Sequence, residues 1–164
     1  MTLKAIASFF VTLMLSSLAF AQTPISGTAL CQKPDQMQKI DVGDRPNHSF
    51  VISQIKCTWT KPMLIANIRA KEQVVTNWDE IFGPSARVRG YTVGVLENGD
   101  KFTARTVGRD SYKGGSFQST QGTWTFSGGT GKLKGIRGGG AFTGTPNADG
   151  SLVIEIVGQY TLPK

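Results

Sequence analysis

The sequence predicts an all-β fold: a single small antiparallel β-barrel of about eight strands, with a β-sandwich as the alternative. No window after residue 21 shows a sustained apolar repeat of 3.6 residues, whereas period-two patterns bounded by turn residues recur throughout. Residues 122–144 contain nine glycines, yet large apolar residues recur among them. A flexible linker lacks such residues, so these glycines predict turns, strand bends and close backbone approaches within a sheet.

The first 21 residues have the composition of a targeting segment. Lys4 supplies a positive charge, residues 5–20 form an apolar run, and Ala19-Phe20-Ala21 matches an A-x-A cleavage site. The run is short for a spanning helix, which needs about 20 apolar residues, so we expect no stable membrane insertion after cleavage. We therefore expect a secreted or periplasmic protein with three parts: a signal peptide at 1–21, a polar segment at 22–48 tied to the barrel, and the barrel domain at 49–164.

Two cysteines, Cys31 and Cys57, follow the predicted cleavage site. An even pair in an oxidising compartment predicts a disulfide bond. Closing a loop of this length removes about 3–4 kcal/mol of unfolded-chain entropy. The alternative is a nucleophilic Cys57 activated by His48, the single histidine of the chain.

Residues 87–109 form the clearest predicted hairpin. Asn98-Gly99 suits a two-residue type I′ turn, because both central residues of that turn have positive φ. Pairing outward from this loop places Val95 opposite Phe102 and Val93 opposite Ala104. We therefore expect these residues on the core side of the hairpin, with the other face in water.

Further strands follow from the same alternation. We expect strands at 49–59, with a bulge near Ser53-Gln54, at 72–78 and at 122–126, and a closing hairpin from Phe142 to Tyr160. That makes seven or eight short strands. Their glycine content favours a barrel, where bends and corners need residues without a Cβ.

Residues 122–144, GTWTFSGGTGKLKGIRGGGAFTG, resemble the Gly-rich signature of allene oxide cyclase-like barrels, relatives of dirigent proteins. Trp124 and Phe126 match its aromatic strand, residues 128–131 its turn, and Leu133, Gly135 and Gly138 its continuation. The resemblance implies an exported bacterial member of this superfamily, with a barrel of about eight strands, a short helical turn after residue 131, and an apolar interior that accepts a hydrophobic molecule. It carries over no ligand-handling polar residue.

Composition and motifs exclude several function classes. The chain carries a net charge of +7, but its basic residues are spread along the sequence rather than clustered with aromatics, so we expect no nucleic-acid partner. Gly-Thr-Gly-Lys at 129–132 lacks the spacing of a P-loop or a dinucleotide fingerprint. One histidine makes no recognisable metal site. We therefore expect no metal and no cofactor.

The predicted hairpin offers one candidate site. Arg87, Arg89 and Tyr91 are in phase with Val93, Val95 and Phe102 on the face expected to be core. Two arginines in a core phase are unusual, since buried charges need partners. They predict either a solvated rim paired with Asp79, Glu80 or Asp110, or a barrel mouth that receives an anionic head group.

Three functions remain open on this basis. The first is binding of a small apolar or amphipathic ligand, and the second is a cofactor-independent isomerase or cyclase. The third is a structural or partner-binding module with a filled interior. Whether the protein is an enzyme is left open. Asp79 and Glu80 are adjacent in a strand and point to opposite faces, so we do not expect them to act as a concerted acid–base pair.

Overall fold

A computed structural model describes residues 22–163, which fold almost entirely into antiparallel sheet. The predicted signal peptide at 1–21 lies outside these residues. Within them, no helix is long and apolar enough to cross a membrane. The strands are β1 (Thr23–Cys31), β2 (Gln36–Asp41), β3 (His48–Lys61), β4 (Leu64–Ile65), β5 (Ile68–Phe82), β6 (Ser85–Leu96), β7 (Lys101–Lys113), β8 (Ser116–Gly129), β9 (Arg137–Pro146) and β10 (Leu152–Thr161), with a 3-10 turn at Gly131–Leu133.

Eight of the ten strands close into a ring. The hydrogen-bonded order is β3-β1-β10-β9-β8-β7-β6-β5, and β5 pairs again with β3. β2 and β4 lie outside this ring and extend β3 and β5 respectively. The predicted all-β barrel of about eight strands is confirmed, and so is the short helical turn that the resemblance implied.

The N-terminal segment contributes to the barrel itself. β1 lies within the segment 22–48, which we expected to be outside the barrel domain, and it pairs with both β10 and β3. After Cys31 the chain leaves the ring and returns as β2, which continues along the same edge of β3. A boundary at residue 49 therefore does not separate barrel from non-barrel residues.

One end of the barrel is packed solid. The connections β3–β5, β6–β7 and β8–β9 all lie at this end. The 3-10 turn contributes Leu133, and the β3–β5 connection contributes Met63 and Ile65, all of them fully buried. The remaining buried side chains of this cluster come from the strands and from the segment before β9: Ile25, Ala70, Leu96, Phe102, Ala104, Trp124, Phe126, Ile136 and Tyr160.

The β6–β7 loop corrects the predicted register of the central hairpin. Leu96 and Asp100 are joined by a backbone hydrogen bond of 2.8 Å, so the loop contains Glu97, Asn98 and Gly99, not two residues. Gly99 has φ +86°, as in a type I turn that ends in a left-handed residue. One additional loop residue moves every β6 side chain to the opposite face.

The predicted inward positions of Arg87, Arg89, Tyr91, Val93 and Val95 are therefore wrong. In the structure Gly94 pairs with Phe102, and Thr92 pairs with Ala104. The inward row of β6 consists of small or modest side chains: Ala86, Val88, Gly90, Thr92, Gly94 and Leu96.

The predicted bulge in β3 is also absent. Its pairing with β5 runs without a shift from His48–Phe82 to Thr58–Glu72. The apparent change of apolar phase arises because Phe50 and Ile52 are exposed on the outer face, whereas Val51 and Ser53 face inward.

The predicted disulfide between Cys31 and Cys57 is confirmed. The two residues are register partners on β1 and β3, and both are buried. Their bond lies where β1 and β2 separate, next to the point at which the ring closes. The alternative of a nucleophilic Cys57 is thereby removed, because a disulfide sulfur is not a free thiolate.

Reduction of this disulfide should destabilise the barrel without abolishing it. The bond closes a loop with a sequence separation of 26, which corresponds to about 3.5 kcal/mol of unfolded-chain entropy. We expect the double variant Cys31→Ala, Cys57→Ala to lower the free energy of unfolding by about this amount in urea titrations. The far-ultraviolet circular dichroism should remain that of a sheet. An unchanged stability would contradict a constraining role for the bond, and complete unfolding would show that ring closure needs it.

Candidate functional site

The end of the barrel opposite the packed core contains a cavity of about 500 Å3. Volumes of 300–1,000 Å3 are typical of small-molecule sites. Its wall is mainly apolar and is built from inward residues of the ring strands, with Met37 and Lys39 contributed by β2. Its aliphatic and aromatic residues include Val51, Ile55, Trp59, Val75, Ile81, Val88, Phe117, Trp124, Phe142, Leu152, Ile154 and Ile156.

Of the six predicted ligand-binding residues, Phe102 lines this cavity and the other five do not. Arg87 lies on the outer face, with its guanidinium 5.1 Å from the Phe82 ring centre and 3.6 Å from the Glu80 carboxylate. Tyr91 stacks on Trp78, also outside the ring. The structure therefore does not bring the arginines together with the apolar interior.

Two carboxylates that the sequence analysis did not select lie on the cavity wall. Asp79 is on β5, in phase with the cavity residues Val75, Asn77 and Ile81. Asp110 is on β7, in phase with Phe102 and the other inward residues of that strand. Strand β6 separates the two, and it presents Ala86 and Val88 beside them.

Asp110 belongs to a small hydrogen-bonded group near the β7–β8 turn. Its register partner on β8 is Thr120, whose side chain lowers the pKa of the Asp110 carboxyl. The Tyr112 hydroxyl donates to Asp110 Oδ2 over 3.5 Å, and the Tyr112 ring packs edge-on against Phe117 at 5.8 Å. All four residues line the cavity.

The Asp79 carboxylate has no comparable hydrogen-bond donor. Its Oδ1 is enclosed by protein and has no hydrogen-bond donor. Within residues 22–163, one other enclosed side-chain atom has no partner, Trp59 Nε1, and Trp59 also lines the cavity. Since enclosed polar atoms are ordinarily paired, both exceptions mark this cavity as the unusual part of the molecule.

The buried environment changes the acidity of all three groups. Burial, and then the negative charge of Asp110, raises the pKa of Asp79 to about 7. Burial also raises the pKa of Asp110, although the hydrogen bonds from Thr120 and Tyr112 oppose this effect. Burial and the two carboxylates hold the pKa of Tyr112 well above its usual range, so its phenol stays protonated. Asp79 consequently changes its protonation near neutral pH.

The sequence contained a signal for these residues. Extending the inward row of β7 from Phe102 in steps of two reaches Asp110 and Tyr112. The same step from Val75 reaches Asp79, which places the neighbouring Glu80 outside, where it contacts His48 and Arg87. The expectation that Asp79 and Glu80 do not act together agrees with this geometry.

The cavity holds no evident metal centre. In the part of the chain that the structure describes, no three histidine, cysteine, aspartate or glutamate residues are grouped to bind a metal ion. Within residues 22–163, Lys39 is the one basic residue of the cavity lining, and its Nζ lies 3.0 Å from Asp41 Oδ1 at the exposed rim.

Comparison with known proteins gives similarity in structure but not in sequence. No protein-family model matches the chain, and the search of curated proteins finds no similar sequence. A solved structure of a pterocarpan synthase dirigent protein, GePTS1, is similar to this chain with a TM-score of 0.48 and 12% sequence identity. The similarity covers 96% of this chain and 100% of the dirigent chain.

Replacing Asp79 by asparagine should stabilise the protein at high pH. The folded-state pKa of Asp79 is raised to about 7 from 3.8, so its contribution to stability is present below pH 4 and is lost as the pH rises through 7. Asp79→Asn should therefore raise the melting temperature at pH 8 by several degrees, since 1 kcal/mol corresponds to about 2–4 °C in a domain of this size. The difference should nearly vanish at pH 4.

The matched control is Glu155→Gln, which removes an exposed carboxylate from β10. Its melting temperature should follow that of the unmodified protein at both pH values. Equal stabilisation by Asp79→Asn at pH 4 and pH 8 would show that burial of the charge is not the cause.

Proposed function

We propose that the protein binds a small, mainly apolar molecule within its barrel. The observation that carries this proposal is the cavity of about 500 Å3, whose apolar wall contains a few convergent polar groups. Such walls bury a ligand's apolar surface, while the polar groups fix its orientation. A structural module with a filled interior is disfavoured, because apolar side chains fill only one end of this barrel.

The proposed setting is outside the cytoplasm. The buried disulfide supports it, since such bonds persist in oxidising compartments. The targeting pattern of residues 1–21 supports the same conclusion from the sequence. A ligand-binding barrel of this kind would meet its ligand in the periplasm or in the medium.

A second candidate function is proton-transfer catalysis without a cofactor, as in an isomerase or a cyclase. The pKa of Asp79 favours it, because a general acid or base works best when its pKa is near the working pH. Asp79 would take a proton from the ligand, while Tyr112, whose phenol stays protonated, would turn its one O–H from Asp110 to a developing negative charge on the ligand.

A pair of matched substitutions tests the binding function. Val75 lines the cavity, whereas Val93, on the adjacent strand, is exposed on the outer face. The neutral naphthalene dye prodan should bind the unmodified protein and the Val93→Trp variant in a 1:1 ratio. Val75→Trp should weaken binding at least tenfold, because the indole occupies the ligand's space.

Fluorescence titration measures the affinities, and circular dichroism with thermal melting verifies that each variant is folded. Ile154→Trp provides a second filling variant, from strand β10 of the ring. Absence of dye binding to the unmodified protein, or equal binding by inward and outward variants, would refute a ligand cavity.

Base catalysis is tested with 5-nitrobenzisoxazole, an aromatic probe of general bases. The Asp79 carboxylate should take the proton from C3 while the ring N–O bond breaks, so that the electron pair leaves on the phenolate oxygen of the absorbing product. The rate should rise with pH, with a midpoint near the Asp79 pKa of about 7. Asp79→Asn should lose at least tenfold in rate and Glu155→Gln should lose none. Equal rates in Asp79→Asn and the unmodified protein would exclude Asp79 as the base.

A further inference from the structure

The charges on the cavity wall are not balanced by the protein. Asp79 and Asp110 lie on it, and Lys39 at the rim is the single basic lining residue in the part of the chain that the structure describes. Lys39 is exposed and already pairs with Asp41. The arginines that could have compensated the carboxylates, Arg87 and Arg89, lie on the outside of the barrel.

The two carboxylates differ in the hydrogen-bond donors that the protein offers them. Asp110 receives a hydrogen bond from Tyr112, and the side chain of its register partner Thr120 lowers its pKa. Asp79 has an enclosed oxygen without a donor, although the residue keeps part of its surface open on the cavity. Carboxylates in low-dielectric surroundings are stabilised by an adjacent positive charge and by N–H donors. An organic ammonium group provides both.

The surroundings of the carboxylates suit the rest of such a ligand. The aromatic pair Tyr112 and Phe117 lies beside Asp110, and aromatic faces attract ammonium groups. Towards the packed end, the wall becomes apolar, with Val75, Ile154 and Ile156 among its residues. A molecule with a charged amine at one end and an apolar body at the other would therefore match the cavity along its length.

We propose that the cavity takes an amphipathic organic amine, whose ammonium group lies between Asp79 and Asp110 and whose apolar body extends towards the packed end. This inference rests on the proposed binding function and specifies its ligand. It replaces the anionic head group that the sequence had suggested, because the arginines required for an anion are outside. The net charge of +7 does not favour cations at long range, so the selectivity arises within the cavity.

Three probes with one ring system test the ligand class: 2-naphthylmethylamine, 2-naphthylmethanol and 2-naphthoate. Displacement of prodan at pH 8 should show the amine binding at least tenfold more tightly than the alcohol, which corresponds to 1.4 kcal/mol. The carboxylate should bind more weakly than the alcohol. At pH 5.5 the advantage of the amine should shrink, because Asp79 takes up a proton.

Two variants test whether Asp79 and Asp110 cause the preference for the amine. The double variant Asp79→Asn, Asp110→Asn should bind the amine no more tightly than the alcohol, and Glu155→Gln should keep the full preference. Calorimetry in buffers of different ionisation enthalpy should show proton release when the amine binds near pH 7, since the ammonium favours ionised Asp79.

The outcomes separate the two proposals. If the alcohol or the carboxylate binds as tightly as the amine at pH 8, the ligand class is wrong and the binding function stands. If the preference for the amine persists in the double variant, its assignment to these carboxylates is overturned. If neither prodan nor any of the three probes binds, the binding function itself fails.

Discussion

Closure of the sheet between β1 and β3 is the constraint on which the rest of the structure depends. This pairing is short, from Thr28 to Cys31, and the Cys31–Cys57 bond fastens its end. Closure removes the free edges of the ring strands and gives every strand one enclosed face. Closure also determines where the enclosed interior ends. The chain leaves the ring after Cys31, and beyond that point β2 pairs with β3 as an additional strand outside the ring.

Side-chain size then decides which part of the enclosed space is filled. An eight-stranded barrel is just wide enough either to be packed by its own side chains or to hold one small ligand. At one end the connections between strands supply Met63, Ile65 and Leu133, which close the interior. At the other end the inward rows of β6 and β7 place side chains of modest size, Val88 and Thr106, on the cavity wall. The same ring therefore contains a core and a cavity, and its two ends have different roles.

The architecture could be predicted from the sequence because it depends on local patterns, whereas the row of β6 that faces inward depends on one loop. Alternation and glycine content indicated the barrel, and the cysteine pair indicated the disulfide. The loop containing Asn98 and Gly99 is compatible with both a two-residue and a three-residue hairpin. The three-residue hairpin is stabilised by a tertiary contact, since the Asp100 carboxylate accepts a hydrogen bond from the Lys132 backbone N–H at 3.0 Å. The row with the larger side chains, Tyr91, Val93 and Val95, proved to be the outer one, because the Phe102 ring occupies the space over Gly94 and a larger inward residue would not fit there.

The placement of Asp79 and Asp110 is the strongest indication that the cavity is more than a packing defect. A barrel selected for stability alone would have apolar residues there, since an enclosed carboxylate without a partner opposes folding. On the outer face of β5 the Glu80 carboxylate is paired with His48 and Arg87. Asp79 is the preceding residue of the same strand and faces inward, where Lys39 at the rim is the one basic residue among the described residues of the lining. A ligand with a positive charge would supply the partner that the carboxylates lack. The carboxylates that lower the stability of the ligand-free barrel would then stabilise its complex with the ligand.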